Sequence, residues 1–147
     1  MGADVAVVLC RGGCKTTVIE SNPERGAKVP ELVLNGLTQL GATQHQDKLS
    51  VAASLNDIDW NSVDLVIECI PERLDIKQAL FAQLEQHARK DALLASNSSS
   101  FPITAIAEGL QTSDRMVGLH FFMPAHLTPL VEVVCGKSTN TEYAQNL

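Results

Sequence analysis

The chain has 147 residues, 45% of them hydrophobic, and a mean hydropathy of +0.05, which is enough apolar side chain to build the core of one soluble domain. Its formal net charge is -6 and its Lys and Arg residues do not cluster, which argues against nucleic acid as a partner. No apolar run reaches membrane-spanning length and no basic stretch leads into a cleavable hydrophobic segment, so the expectation is a cytoplasmic protein with no membrane partner.

In chain order, residues 2–10 read as an apolar helix ended by Gly12 and Gly13, and 16–20 as a strand that closes on an acid, Glu20. Residues 23–40 have helical character, but Pro30 and Gly36 argue against an unbroken helix. Strands are predicted over 49–53 and 63–68, then a helix over 71–88, with Pro71 at its start, Glu72 in its first turn and Leu74, Ala79, Leu80 and Leu84 at mostly helical spacing. A strand over 92–96, a short helix over 102–110 and strands over 116–121 and 130–134 follow, before a polar tail from 137. Several of the strands are nearly continuous in Val, Ile and Leu, the mark of parallel strands covered on both faces. The alternation predicts a doubly wound, mostly parallel α/β sheet. Cys10, Cys14, Cys69 and Cys135 lack further ligands at metal-binding spacing and read as reduced, mostly buried small apolar residues, with no metal site.

The front of the chain departs from the usual order. A dinucleotide-binding unit opens with a strand, a glycine-rich turn and a helix, and a second strand ends in an acid about 20 residues after the turn. Counting back from Glu20 places that turn at or before Met1, so the chain is expected to begin at the last glycine of the fingerprint, Gly2, without the first strand. Glu20 is then either an acceptor for adenosine ribose hydroxyls, favouring NAD over NADP, or a solvated acid at a strand end.

Two further stretches carry polar chemistry. Ala95-Ser96-Asn97-Ser98-Ser99-Ser100 follows one strand and precedes a helix, so its side chains either face the crevice at the carboxyl end of a parallel sheet or cap the helix. Gly118-Leu119-His120-Phe121-Phe122-Met123-Pro124 places His120 at the end of another apolar strand. A lone histidine is usually structural. Glu132, however, lies between Val131 and Val133 in a second apolar run, where a buried carboxylate is costly unless paired. Beside His120 it would orient the ring and stabilise the protonated form, leaving the ring poised to exchange a proton near neutral pH. His45, His87 and His126 read as surface residues.

Four blocks in order, Asp64-Leu65-Val66-Ile67-Glu68-Cys69-Ile70-Pro71-Glu72-Arg73-Leu74, the serine run, the His120 block and Pro129-Leu130-Val131-Glu132-Val133-Val134, resemble the N-terminal NAD-binding domain of the L-3-hydroxyacyl-CoA dehydrogenase family. The resemblance runs along essentially the whole chain and implies a Rossmann-type fold, NAD as cofactor and oxidation of a 3-hydroxyl to a ketone with hydride transfer to NAD. It implies His120 as the base, Glu132 as its orienting partner and Ser99 as the group that binds the reacting oxygen near the nicotinamide. Gly2 would face the pyrophosphate and Glu20 the ribose, with Glu72, Lys77 and Asn97 at the nicotinamide half. An acyl-CoA substrate and a homo-oligomer are implied as well.

Three departures accompany the resemblance. Met123 stands where the family usually has Asn, replacing an amide that hydrogen-bonds by a thioether that does not, and this keeps a small hydroxy-acid substrate open. The first strand is not seen, and neither is the family's helical C-terminal domain; chain 1–147 reads as an incomplete NAD-binding domain that by itself turns over substrate poorly. A non-catalytic binding or assembly module is the reading from outside enzymology.

Overall fold

A computed structural model describes every residue of the chain except Asn146. The chain divides into two compact units, Met1–Ile58 with Phe122–Leu130, and Asp59–Phe121 with Val131–Leu147.

The first unit holds α1 (Gly2–Arg11), β1 (Thr16–Ile19), α2 (Pro23–Gln39) and β2 (Leu49–Ala52), with β1 and β2 in parallel register. Its core follows from helical spacing. Ala6, Val7 and Cys10 on α1 meet Val29, Val33 and Leu37 on α2, and full burial of each Val or Leu contributes roughly 1.5–3 kcal/mol. The helix α2 is unbroken through Pro30 and Gly36, contrary to the sequence expectation. Gly36 is where the two helices touch: a Cβ there would lie 2.6 Å from Val7 Cγ2, so the residue that weakens the helix is the one that lets it pack. Asn22 caps α2 by accepting from the amide of Arg25 at 3.0 Å.

The second unit holds β3 (Leu65–Glu68), α3 (Leu74–His87), β4 (Leu93–Ser96), α4 (Ile103–Ile106), β5 (Met116–Phe121), β6 (Val131–Cys135) and α5 (Thr141–Gln145). Its sheet has the order β3-β4-β5-β6, parallel except for antiparallel β6. Phe81 and Leu84 of α3, Ile103 and Ile106 of α4, and Leu94, Met116 and Val117 of the sheet form the core. Among the described residues β1 is bonded only to β2, and β3 only to β4, within their sheets.

Four expectations are corrected. The helix expected from Pro71 begins at Leu74, leaving Glu72 in the turn before it, and the helix expected over 102–110 is a single turn. Every residue of β6 is exposed, because it is an edge strand with one neighbour, so Glu132 is not the buried carboxylate its apolar neighbours suggest. Of the cysteines only Cys10 is buried; Cys69 is half-buried, and Cys14 and Cys135 are exposed.

Candidate functional site: the carboxyl end of the second unit's sheet

Parallel strands deliver their carboxyl ends to one side, and here that side collects the polar residues. Register pairs Glu68 with Ser96 and Ser96 with Gly118, so the turn after β3, the serine loop after β4 and the last residues of β5 lie in adjacent rows.

His120 pairs with Glu132 across the antiparallel β5–β6 ladder, and the ring Nδ1 lies 3.0 Å from Glu132 Oε2. The His120 side chain is 20% exposed and that of Glu132 56%. Residues directly opposite on antiparallel strands share a face, so the pairing follows from register. Two places back on that face, a Cβ on Gly118 would lie 2.9 Å from Val134 Cβ; glycine is what lets β6 approach closely enough to hold the pair.

The serine loop is tied down around Ser99. Glu72 Oε1 accepts from the hydroxyl of Ser98, and from the amide and hydroxyl of Ser100 at 3.2 and 2.8 Å. The Ser98 hydroxyl in turn accepts from the amide of Phe101 at 3.0 Å, and in that sense the loop also does the capping work. Asn97 Oδ1 accepts from the amide of Phe121 at 2.8 Å, fastening the loop beside His120. Among the described residues the Ser99 hydroxyl and the Asn97 amide nitrogen have no hydrogen-bond partner. Burial of Glu72 works against its charge, but bonds from Ser98, Ser100 and Lys77 outweigh it and bring the carboxyl down to about 2.

Lys77 sits differently from a ligand-binding lysine. Its side chain is 1% exposed, and Nζ lies 2.8 and 2.9 Å from the two oxygens of Glu68, 3.1 Å from Glu72 Oε2 and 3.4 Å from the carbonyl of Ile70. Three ammonium protons are thereby committed inside the protein. Glu68, 0% exposed, also accepts from the Ser96 hydroxyl and the amide of Ile70, both at 2.6 Å. Sequence reasoning assigns Glu68 no role and Ser96 only a place in the serine run; the one available signal for Glu68 is an acid closing an otherwise apolar strand. Burial, with the charge of Glu68, pushes the neighbouring Cys69 thiol up to about 11, which keeps it protonated and unreactive at neutral pH.

Gly2 and Glu20 lie in the other unit. Gly2 opens α1, where first-turn amides have no partner within the helix. Glu20 follows β1, and its Oε1 accepts from the amide of Asn22 at 2.9 Å. His126 is not the surface residue expected: its side chain is 10% exposed and lies between Asp4 at 3.2 Å and Gln39 at 3.2 Å.

A family model described as 3-hydroxyacyl-CoA dehydrogenase, NAD binding domain, matches residues 1–147. The chain belongs to that family. It is 35% identical, over 100% of its own length, to the peroxisomal fatty acid beta-oxidation multifunctional protein AIM1 of Arabidopsis thaliana, of which it covers 21%. Among solved structures, 3-hydroxybutyryl-CoA dehydrogenase from Escherichia coli has a TM-score of 0.90 and 34% identity, matching 99% of this chain and 32% of that one. An NAD+-dependent dismutase, 5-formyl-3-hydroxy-2-methylpyridine 4-carboxylic acid 5-dehydrogenase, has a TM-score of 0.87 and 28% identity over 99% of this chain and 49% of its own. The chain thus spans about a fifth of the Arabidopsis protein and a third of the Escherichia coli one. The Rossmann-type fold expected from the sequence is the fold of these neighbours. No helix among the described residues is long and apolar enough to cross a membrane.

Proposed function

We propose that this chain provides the NAD-binding and proton-transfer part of a 3-hydroxyacyl-CoA dehydrogenase. The observation that carries the reading is the His120–Glu132 pair, placed by register at the strand ends beside a loop whose central hydroxyl, Ser99, has no hydrogen-bond partner among the described residues. The polar groups left over fit the cofactor's nicotinamide half: Asn97 has an amide nitrogen to donate, and Glu72 holds a charge toward solvent that a cationic ring favours. When bound, NAD supplies the hydride acceptor.

The chain's residues do the rest. Ser99 donates to the substrate's 3-oxygen and fixes its position. His120 takes the hydroxyl proton as the ketone forms, and Glu132 holds the ring through Nδ1 and stabilises the imidazolium that results. In the reverse direction His120 returns the proton to the same oxygen. Gly2 and Glu20 are proposed for the pyrophosphate and adenosine ribose, using first-turn amides and the carboxylate oxygen not bonded to Asn22. We assign Lys77 an indirect part in the cofactor site, through Glu72. A homo-oligomer and a cytoplasmic setting complete the reading; the peroxisome named for the Arabidopsis relative is the other compartment to test with a tagged protein.

Met123 favours a second substrate class. It is 55% exposed and offers no hydrogen bond where the family's amide stands, and one structural neighbour of the chain is a dehydrogenase of a pyridine carboxylic acid. Assaying the intact protein with NADH and either acetoacetyl-CoA or small keto acids decides between them. Turnover of acetoacetyl-CoA supports the first reading, and turnover of small keto acids alone supports the second. Turnover of neither makes the chain a binding module.

A further inference from the structure

The second unit contains a buried charged cluster that the proposed chemistry does not use directly. Glu68 and Lys77 are 0% and 1% exposed, and Glu68 receives four hydrogen bonds from three groups: Lys77, Ser96 and the amide of Ile70. Moving an acid and an amine out of water costs several kcal/mol each, and apolar residues of the same volume commonly serve stability as well or better. Thermodynamic stability is therefore a poor reason for this pair. Its connections supply a better one.

Three routes from Glu68 end at the serine loop. Its Oε2 accepts from the Ser96 hydroxyl, and the Ser96 oxygen accepts from the amide of Ser98 at 3.2 Å. Its backbone carbonyl accepts from the amide of Asn97 at 2.9 Å. Through Lys77 it holds Glu72 Oε2, while the other oxygen of Glu72 grips Ser98 and Ser100. Ser99 lies between two residues that both trace back to Glu68, and Glu68 itself is sealed from solvent. We propose that Glu68, acting through Lys77 and Ser96, is the positioning residue that fixes the loop presenting Ser99. That the loop then meets cofactor and substrate rests on the function proposed above.

Lys77 is the link that makes this work. A lysine with one carboxylate partner would have protons left for a ligand; with three carboxylate oxygens and a carbonyl around it, this one has none. Held between Glu68 and Glu72, it turns one carboxylate inward as an anchor and leaves the other to face the loop. Without it Glu72 would be free to turn to water.

The test replaces the pair by apolar residues of similar volume, Glu68→Leu with Lys77→Met, in the intact protein, and adds the isosteric Glu68→Gln in case the double variant folds poorly. Hydrogen exchange of individual amides is read by NMR, with thermal unfolding and NADH titration on the same samples. The expected result is exchange at Ser98 and Ser100 faster by about tenfold or more, at wild-type rates for Leu94 and Ala95 and an unchanged or raised Tm, as for a local opening. The Glu72 carboxyl resonance should titrate at a higher pH in the double variant, and where the wild type binds NADH its affinity should fall about tenfold, the loss of one charge-assisted contact. Wild-type exchange at Ser98 and Ser100 with the pair gone overturns the inference. So does uniform acceleration across β3, β4 and α3 with a lowered Tm, the signature of a merely structural pair. A wild type that does not bind NADH refutes the proposed function alone, and the exchange rates still decide the positioning role.

Discussion

The second unit holds two acid–base pairs at its strand ends, and they are built in opposite ways. Glu68 and Lys77 are sealed, with every donor and acceptor committed. His120 and Glu132 sit on the antiparallel edge of the sheet, one side chain 20% and the other 56% exposed, with 3.0 Å between Nδ1 and Oε2. A group that exchanges protons with a substrate must be reachable, and its charged and neutral forms must be close in energy. A group that fixes geometry is better dry and saturated. The contrast separates the pair proposed to do the chemistry from the pair proposed to hold the parts still.

The largest expected effect comes from breaking the buried pair on one side. Lys77→Met leaves Glu68 without its counter-ion and should cost about 3–5 kcal/mol in urea unfolding, a large share of a domain's stability. The double apolar variant should recover that loss in full or exceed it, which is how the two are told apart. Gly118→Ala comes next: its Cβ would meet Val134 Cβ at 2.9 Å and Ile103 Cδ1 at 3.1 Å, costing about 1–3 kcal/mol. It should also push β6 outward and lower turnover of the intact protein, because Glu132 lies on the strand that moves.

Glu132→Gln should do the reverse of Lys77→Met. An exposed pair contributes about 0–1 kcal/mol, so unfolding should barely change. Turnover should fall on the order of tenfold, less than the ~10²–10⁴ that a positioned acid–base group supplies, since the ring loses its orienting acceptor and keeps its place. The smallest effect is the pH dependence of Glu72. Its folded pKa, about 2, lies below the unfolded value of 4.5, so the unfolded state binds more protons between them. The stability Glu72 contributes is present above pH 4.5 and is lost as pH falls toward 2. Comparing Tm against pH for the wild type and Glu72→Gln should show a shallower acid slope in the variant.

The pattern of legibility follows the same division. The strand and helix order was readable because long Val/Ile/Leu runs alternate with amphipathic stretches, and His120–Glu132 was readable because two apolar strands twelve residues apart carry one polar residue each. Burial of Glu132 would require β6 to have a second neighbour, which the sequence of one strand does not reveal. Glu68 was missed because an acid at a strand end looks solvated; its role appears only when α3 returns Lys77 over it, nine residues on. Pro30 and Gly36 misled in the same way. Local rules disfavour both in a helix, and the packing of α2 on α1 overrides them. His126 looked exposed in a polar loop, and only the tertiary placement of Asp4 and Gln39 encloses it.

The central claim is that His120 moves the proton and does not hold the cofactor. Replacing it with Ala in the intact protein, then measuring NADH affinity and acetoacetyl-CoA-dependent NADH oxidation side by side, tests this directly. The rate should fall by about 10²–10⁴-fold while NADH affinity stays within about threefold of wild type. Retention of the wild-type rate would contradict the assignment of the base, and a parallel loss of NADH binding would contradict the division of labour between this pair and the serine loop.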